Sequence, residues 1–285
     1  MNLNCDGLRN KLNDRDFNDF IQNFDIICLT ETHMTARDLE HYDLSGFRHY
    51  VCDAIKLGHS FGRLSGGVVV LIKDNIQHNF TRLSCEVENI ICLRVNRHLF
   101  DSQTNLIFLA CYIPPQDSKF WNYSKCGYGH ELLEKCVNDL YSQVGCFEYI
   151  LTGDFNSRTK SLNMSNIDIM FESDNIYKEG DNEVIYPRRS KDNTLNAFGE
   201  QLLEFCSIYD GVIVNGLTEQ NYDDGFTCIK SNGSSVVDYF IVSSYLMETL
   251  FVKHFEIVEE LFSDHLPIVL EIKPIGKHSE VINNH

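Results

Sequence analysis

The chain has 285 residues, of which 43% are hydrophobic and 12% aromatic. This is ample apolar material for a folded core and excludes an intrinsically disordered chain. The formal net charge of -17, from 41 acidic against 24 basic residues, argues against a protein that coats nucleic acid through a broad basic face. A phosphate substrate stays open, because a bound divalent cation inverts the charge of an acidic pocket.

The 11 cysteines include no Cys-x-x-Cys pair, and several lie inside apolar runs, where a thiol behaves as a small hydrophobe. We therefore predict neither a disulfide framework nor a zinc site, and we expect a reducing, intracellular compartment. The N-terminus lacks the apolar stretch of a signal peptide. The longest apolar run, residues 106–113, is too short to span a membrane, so no membrane partner is expected.

In the N-terminal half, short apolar runs predict strands. In chain order these are the end of a strand at residues 3–4 and strands at 25–29, 68–72, 89–95 and 105–112. Apolar residues at helical spacing over residues 8–24 predict the first helix. Pro114 and Pro115 end the last of these strands.

Residues 131–144 carry a continuous apolar stripe, which predicts the clearest helix of the chain. A buried strand at 147–151 follows, and we expect Gly153 to break it. Residues 157–193 are polar and weakly patterned, so they predict a long loop, with a short helix as an option within it.

The C-terminal part is predicted to begin with a helix at 195–209 and a strand at 212–214. Strands at 226–229 and 235–242 flank Asn232-Gly233, a typical hairpin turn. The last predicted strand covers residues 266–272.

No linker or change of composition divides the chain, so we predict one domain over residues 1–275 and a flexible tail over 276–285. The economical architecture is an α/β fold in which two sheets pack together and helices cover the outside. Only three residues precede Asn4, so we expect a first strand cut short of the usual five or six residues.

Asp154 and Asn156 come directly after the central strand. Residues two apart on an extended chain point the same way, so both side chains can face one ligand. An acid beside a neutral donor suits the activation of a water and the binding of the oxygen of the group that it attacks. The alternative is an Asx turn that only caps the strand.

Polar residues recur at the predicted strand ends, where α/β folds assemble their sites. They are Asn4, Asp6, Glu31, Tyr112, Asp154, Asn156, Thr227, Asp238, Asp264 and His265. If these converge, the carboxylates need a cation or shared protons. Because no cysteine or histidine cluster accompanies them, the ligands are hard oxygens, which favour Mg²⁺ or Mn²⁺ over zinc.

Six short motifs, in this order, resemble those of the endonuclease/exonuclease/phosphatase family, which includes DNase-I-like nucleases and abasic-site endonucleases. They are Asn4-Cys5-Asp6-Gly7-Leu8-Arg9, Leu29-Thr30-Glu31-Thr32-His33, Tyr112-Ile113-Pro114, Gly153-Asp154-Phe155-Asn156, Val237-Asp238-Tyr239 and Ser263-Asp264-His265. The resemblance covers nearly the whole chain. It implies a four-layer sandwich of two mixed β-sheets packed face to face, with helices on the outside.

The resemblance implies a metal site at Glu31, the family's principal ligand, with Asp6 and Asp264 supplying or supporting coordination. It implies Mg²⁺, with Mn²⁺ as the other candidate. The alternative for Glu31 is a solvated acid after a strand.

By the same resemblance, Asp154 orients or deprotonates the attacking water and Asn156 donates to the phosphate oxygens. His265 contacts the phosphate, Asp238 is the carboxylate partner that raises its pKa, and Tyr112 binds phosphate. A surface histidine and a tyrosine over a sheet edge are the alternatives for His265 and Tyr112.

Two further residues match substrate-binding positions. Asn4 resembles a residue that positions metal or phosphate, and Thr227 a hydroxyl that touches the substrate backbone; a strand-end turn and β-propensity are the alternatives. Arg188, Arg189 and Lys191 are candidates for DNA phosphate contacts, although a solvated charged loop explains them as well.

The Glu-Thr-His motif and residues 188–216 look most like the endonuclease domains of non-LTR retrotransposons. The implied activity is Mg²⁺-dependent nicking of one DNA strand to 3′-hydroxyl and 5′-phosphate ends. The implied partners are DNA and a reverse transcriptase domain of a longer polypeptide, with access to the nucleus.

Two alternatives stay open. The first is an abasic-site endonuclease or another phosphoesterase of this fold, of inositol-phosphate or sphingomyelin type, since substrate choice lies in loops. The second is an inactive retroelement-derived fragment that acts as a binding module, which the short first strand and the end of the chain soon after His265 would fit.

Overall fold

A computed structural model describes residues 1–58, 62–100, 104–163, 187–217, 222–249 and 251–273. Its strands are β1 (Asn2–Asn4), β2 (Ile26–Thr30), β3 (Phe47–Cys52), β4 (Val68–Lys73), β5 (Phe80–Arg82), β6 (Ile90–Val95), β7 (Asn105–Tyr112), β8 (Phe147–Asp154), β9 (Gly211–Ile213), β10 (Cys228–Lys230), β11 (Gly233–Ser235), β12 (Asp238–Ser243), β13 (Phe251–Ile257) and β14 (Ile268–Lys273). Its α-helices are α1 (Arg15–Ile21), α2 (Ala36–Leu39), α3 (Glu131–Val144), α4 (Ala197–Ile208) and α5 (Ser244–Thr249).

The strands form two six-stranded sheets and a small hairpin. The first sheet has the order β13-β14-β1-β2-β4-β3 and the second β5-β6-β7-β8-β12-β9, while β10 pairs with β11. Each large sheet is mixed: β1 pairs with β2 and β7 with β8 in parallel, and the other neighbours are antiparallel.

The predicted four-layer sandwich is confirmed by the side chains of the central strands, which are buried on both faces. In β4, Val68, Val70 and Ile72 point into the core between the sheets. Val69 and Leu71 of the same strand pack instead against the outer helices. Strands buried on both faces read as continuous apolar runs, which is why β4 and its neighbours are visible in the sequence.

The helices cover the two outer faces. Phe17 of α1 and Leu39 of α2 pack on the first sheet, whereas Leu133 of α3 and Leu202 of α4 pack on the second. Polar side chains cap the starts of α1, α2 and α4: the Asn196 carboxamide accepts from the Gly199 N–H at 2.7 Å, for example. In the described part of the chain, no helix is long and apolar enough to cross a membrane.

The pattern over residues 8–24 predicts more helix than there is, since α1 follows a 3₁₀ turn at Lys11–Asn13. The sequence pattern does not predict β3, β5 and β13. All three lie at sheet edges, where one side of the strand meets solvent and polar residues replace apolar ones. Arg48 and His49, for instance, are exposed in β3.

Two predicted breaks are wrong. Gly153 does not end its strand, because β8 continues to Asp154. Gly153 instead allows a close approach: a Cβ at this position would lie 1.8 Å from the Cys111 carbonyl oxygen of β7. The hairpin turn consists of Ser231 and Asn232, since Lys230 pairs with Gly233. The second predicted strand of the hairpin is in fact two strands: β11, which pairs with β10, and β12, which belongs to the second sheet.

Two predictions concern residues that the structure leaves undescribed. Residues 164–186 contain most of the predicted long loop and its optional helix. Residues 274–285 include the predicted tail and the domain boundary at residue 275.

Candidate active site

The register of the two sheets brings the predicted site residues to one place. Asn4 pairs with Thr30, so the ends of β1 and β2 coincide and Glu31 follows directly. In the second sheet Asp154 pairs with Tyr112 on one side and with Asp238 on the other. The carboxylates of the two sheets meet because β1 also packs against β8 and β12.

Asn4 joins the two halves of the site. Its buried Nδ2 donates to Glu31 Oε2 at 2.9 Å and to Asp154 Oδ2 at 2.8 Å. Its Oδ1 accepts from the Asp6 backbone N–H at 3.0 Å, which fixes the orientation of the amide. The Ser263 hydroxyl donates to the Asn4 carbonyl oxygen at 2.6 Å and so ties the segment before His265 to the end of β1.

One group of candidate ligands consists of Asp6, Glu31 and His33, whose ligand atoms lie within 4.8 Å of one another. His33 Nε2 is 3.7 Å from Asp6 Oδ1 and 3.8 Å from Glu31 Oε1. Both ring nitrogens of His33 are buried without a hydrogen-bond partner. Two hard carboxylates around an unpartnered imidazole fit a divalent cation such as Mg²⁺ or Mn²⁺. Arg63 Nη1 donates to Asp6 Oδ1 at 2.9 Å, so a cation bound through that oxygen would replace this contact.

The backbone of this group is strained. Asp6, Glu31 and His33 have φ values of +37°, +53° and +54°, in the left-handed region that non-glycine residues rarely adopt. Such conformations cost of order ~1–3 kcal/mol each and cluster at functional sites. His33 was not among the predicted site residues, although it stands in the Glu-Thr-His motif; a single histidine after a strand gives no other signal.

The second group consists of Asp154, Asp238 and His265, all buried. His265 Nδ1 and Asp238 Oδ2 are 2.8 Å apart. Burial alone would lower the pKa of His265, but the charge of Asp238 and this hydrogen bond outweigh it and raise the pKa well above the ordinary value. His265 is therefore an imidazolium at neutral pH. Asp238 Oδ1 is buried without a hydrogen-bond partner.

Asp154 has the environment of a proton acceptor. Burial and the neighbouring charge of Asp238 raise its pKa to about 7, while His265 opposes them. A carboxyl group with a pKa near the working pH can take up and release a proton.

Asn156 and Tyr112 lie beside Asp154. The Asn156 backbone N–H donates to Asp154 Oδ1 at 2.9 Å, which is the Asx turn considered above, and its Nδ2 donates to the Ile113 carbonyl oxygen at 2.9 Å. Burial, followed by the charges of Glu31 and Asp154, raises the pKa of Tyr112 well above its ordinary value, so the phenol keeps its proton.

Asp264 and Thr227 lie on the His265 side of the site. Asp264 groups with Cys228 and His265, not with Asp6 and Glu31, and its carboxylate is 3.2 Å from Lys230 Nζ. The Thr227 hydroxyl accepts from the backbone N–H groups of residues 237 and 238 at 3.0 and 3.1 Å. This contact positions Asp238; the roles of Thr227 toward substrate and Asp264 toward metal stay predictions.

Both predictions for Arg188, a contact with DNA phosphates and a solvated loop residue, are wrong, because its side chain is buried. Its side chain is buried and donates to Thr159 Oγ1 at 2.8 Å, to the Leu162 carbonyl at 2.9 Å and to the Asn215 carbonyl at 3.0 Å. Arg189 and Lys191, in contrast, are exposed.

Comparison with solved structures shows the same fold. The catalytic domain of APE2 from Xenopus laevis aligns with a TM-score of 0.62 and 18% identity, covering 97% of this chain and 93% of that one. The AP endonuclease LMAP from Leishmania major aligns with a TM-score of 0.62 and 14% identity over 94% and 85% of the two chains. The endonuclease domain of TRAS1, a telomere-specific non-LTR retrotransposon, aligns with a TM-score of 0.55 and 15% identity over 95% and 96%.

No curated protein matches the chain by sequence. The profile of the Endonuclease/Exonuclease/phosphatase family, in contrast, matches residues 1–265, nearly the whole chain. The resemblance read from the six motifs is thereby confirmed, and the chain belongs to the Endonuclease/Exonuclease/phosphatase family.

Proposed function

We propose that this chain is a divalent-metal-dependent phosphodiester hydrolase that nicks one strand of DNA and leaves 3′-hydroxyl and 5′-phosphate ends. The observation that carries the proposal is the Asn4 carboxamide, which bridges Glu31 and Asp154. It holds a carboxylate of the cation-binding group beside the carboxylate suited to activate water. Metal-assisted hydrolysis needs both groups on one phosphate.

Glu31 and Asp6 would hold the cation, with His33 available from the third side. The bound cation would supply positive charge to the phosphate oxygens and offset the repulsion among the carboxylates. Mg²⁺ is proposed, with Mn²⁺ as the alternative, because two of the three donors are hard oxygens.

Asp154 orients the attacking water and takes its proton, which its raised pKa permits. His265, kept protonated by Asp238, donates to a phosphate oxygen whose negative charge grows as the bond breaks. Asn156 and the neutral phenol of Tyr112, which lie beside Asp154, add uncharged hydrogen-bond donors for the phosphate oxygens. Water or the His265 imidazolium protonates the departing 3′ oxygen.

DNA is the proposed substrate because proteins of the same fold include an AP endonuclease and a retrotransposon endonuclease domain. The Glu31-Thr32-His33 motif favours the retrotransposon type, in which the nick supplies a primer for reverse transcription. That role would require access to the nucleus and a reverse transcriptase domain as partner. Arg189 and Lys191 are exposed and available to DNA phosphates.

The test is nicking of supercoiled plasmid with Mg²⁺, with Mn²⁺ and with EDTA. We expect open circles that DNA ligase reseals, because ligase requires 3′-hydroxyl and 5′-phosphate ends. Asp154→Asn should abolish nicking, whereas Asp117→Asn, the same charge change at an exposed position, should not. Cleavage of abasic duplex alone, or phosphate release from inositol phosphates without nicking, would replace this proposal.

A further inference from the structure

Three cysteines from separate segments meet in the core beneath helix α3, on the outer face of the second sheet. Cys85 lies between β5 and β6, Cys92 in β6 and Cys136 in α3. The Cys136 sulfur is 3.3 Å from the sulfurs of both Cys85 and Cys92. We call these residues the thiol cluster; it shares no residue with the candidate active site.

Access to the thiol cluster is graded. Cys92 and Cys136 are each 1% exposed, whereas Cys85 is partly exposed. The segment that carries Cys85 is held on α3, because Gln143 Nε2 donates to the Ser84 carbonyl oxygen at 2.8 Å. A small oxidant can therefore reach Cys85 first, and the buried Cys136 sulfur lies in contact with the Cys85 sulfur.

The surroundings favour a neutral product over a metal ion. Apolar side chains, including Val87, Ile90 and Leu133, belong to the same core cluster as Cys92 and Cys136. A cation held by three thiolates would leave net negative charge among them, and burying unpaired charge is costly. A disulfide carries no charge, and forming one needs the two sulfurs to close only from 3.3 Å to about 2.05 Å.

We propose that Cys85 is a peroxide-reactive thiol and that Cys136 is its resolving partner, so that hydrogen peroxide converts the pair into an internal disulfide. Hydrogen bonding with the Cys136 and Cys92 thiols, against the opposing effect of burial, lowers the pKa of Cys85. A thiolate is the form that attacks peroxide.

The chemistry proceeds in two balanced steps. The Cys85 thiolate attacks one peroxide oxygen, the S–O bond forms as the O–O bond breaks, and the departing hydroxide takes up the proton that the thiol released on ionisation and leaves as water. The Cys136 sulfur then attacks the Cys85 sulfenic acid; the S–S bond forms, the S–O bond breaks, and a second water leaves with the Cys136 proton. Two thiols lose two electrons in total, and one peroxide becomes two waters.

Mass spectrometry of the wild-type chain after brief treatment with hydrogen peroxide tests the proposal. Intact mass should fall by ~2 Da, as two hydrogens are lost. Digestion with trypsin, Glu-C and chymotrypsin, without reduction, should yield a peptide that links Cys85 to Cys136, because chymotryptic cleavage after Tyr141 separates Cys136 from Cys146. Cleavage after Glu86 and Glu88 separates Cys85 from Cys92. The oxidation rate of Cys146, an exposed cysteine, is the reference against which the rate of Cys85 is compared.

Single variants assign the roles, with circular dichroism as the check on folding. Cys92→Ser should still form the linked peptide. Cys136→Ser should instead leave Cys85 as a sulfenic acid that dimedone labels, and Cys85→Ser should lose the fast reaction. Oxidation of Cys85 no faster than Cys146 in the wild type, or sulfinic acid without a linked peptide, would overturn the proposal without any variant.

Discussion

The side chains of Asn4 and Asp154, which are 150 residues apart, meet at 2.8 Å where the first sheet adjoins the second. Asn4 is the donor in this contact, and the same nitrogen donates to Glu31. A neutral amide thus separates two carboxylates that would otherwise repel each other across the site.

Asn4→Ala should lower kcat for nicking roughly 10- to 100-fold, because a hydrogen bond to a charged group contributes about 1.5–3 kcal/mol. Asn4→Asp, which keeps the shape but adds a negative charge, should lower it further. Plasmid nicking at saturating Mg²⁺ measures both. Asn13→Ala, at an exposed position, is the control, and wild-type rates in either Asn4 variant would contradict the bridging role.

Asp238→Asn should reduce nicking by about 10²–10⁴-fold, the range for a positioned acid or base. Without the Asp238 charge, burial lowers the pKa of His265 against only the smaller opposing effects of Cys228 and Asp154, so the imidazolium is less favoured at neutral pH. Glu256→Gln is a matched control, since Glu256 pairs with an exposed histidine, His254, at 3.3 Å. Comparable loss of activity in both variants would contradict the proposed role of Asp238 in keeping His265 protonated.

Mg²⁺ should stabilise the wild-type chain, because a ligand that binds only the folded state shifts the unfolding equilibrium. At ten times the dissociation constant the gain is about 1.4 kcal/mol, which corresponds to a melting temperature higher by roughly 2 °C. EDTA and Glu31→Gln should each abolish the shift, and Asp25→Asn, at an exposed acid, should keep it. An undiminished shift in Glu31→Gln would place the cation elsewhere.

Acid should destabilise the fold through His130. Burial lowers its pKa to about 4 from an ordinary 6.5, so the ring binds a proton more readily once the chain unfolds. Its contribution to stability is complete above pH 6.5 and is lost as the pH falls toward 4; between pH 7 and pH 5 the loss is about 2 kcal/mol. Other groups also titrate between these pH values, so the test is a difference: on going from pH 7 to pH 5, urea unfolding should show the wild type and His49→Gln, an exposed position, losing about 2 kcal/mol more stability than His130→Gln.

Arg188→Met should lower the free energy of unfolding by about 3 kcal/mol, because it leaves buried oxygen acceptors unpaired. Arg189→Met should change it by less than about 0.5 kcal/mol, since that side chain is exposed. Denaturant unfolding of the two neighbours separates a structural arginine from one available to DNA. Equal stabilities would mean that the buried contacts of Arg188 contribute little.

The sequence is most informative where a strand is buried on both faces. β4, β7 and β8 are continuous apolar runs, so their existence follows from composition alone. β3 and β13 are edge strands with exposed polar residues, and only pairing with a distant neighbour makes them strands. Local pattern carries no information about such partners.

The candidate site, like the fold, is predictable from the sequence only in part. The motifs identify Asn4, Glu31 and Asp154, which lie at or directly after the end of a strand, and His265, which comes shortly before β14. Their mutual contacts depend on how the sheets pack, which no local pattern specifies. The burial of Arg188 was missed for that reason: a charged residue in a polar loop is usually solvated, but the Tyr239 ring, the Thr159 hydroxyl and distant backbone carbonyls enclose this one.

Asn4 and Glu31 belong to one sheet, and Asp154 and Asp238 to the other. Neither layer alone holds a complete set of reacting groups. Exchange of a single sheet with a relative would therefore transfer only half of the proposed active centre. A chimera that keeps the proposed centre intact must take both sheets from the same parent.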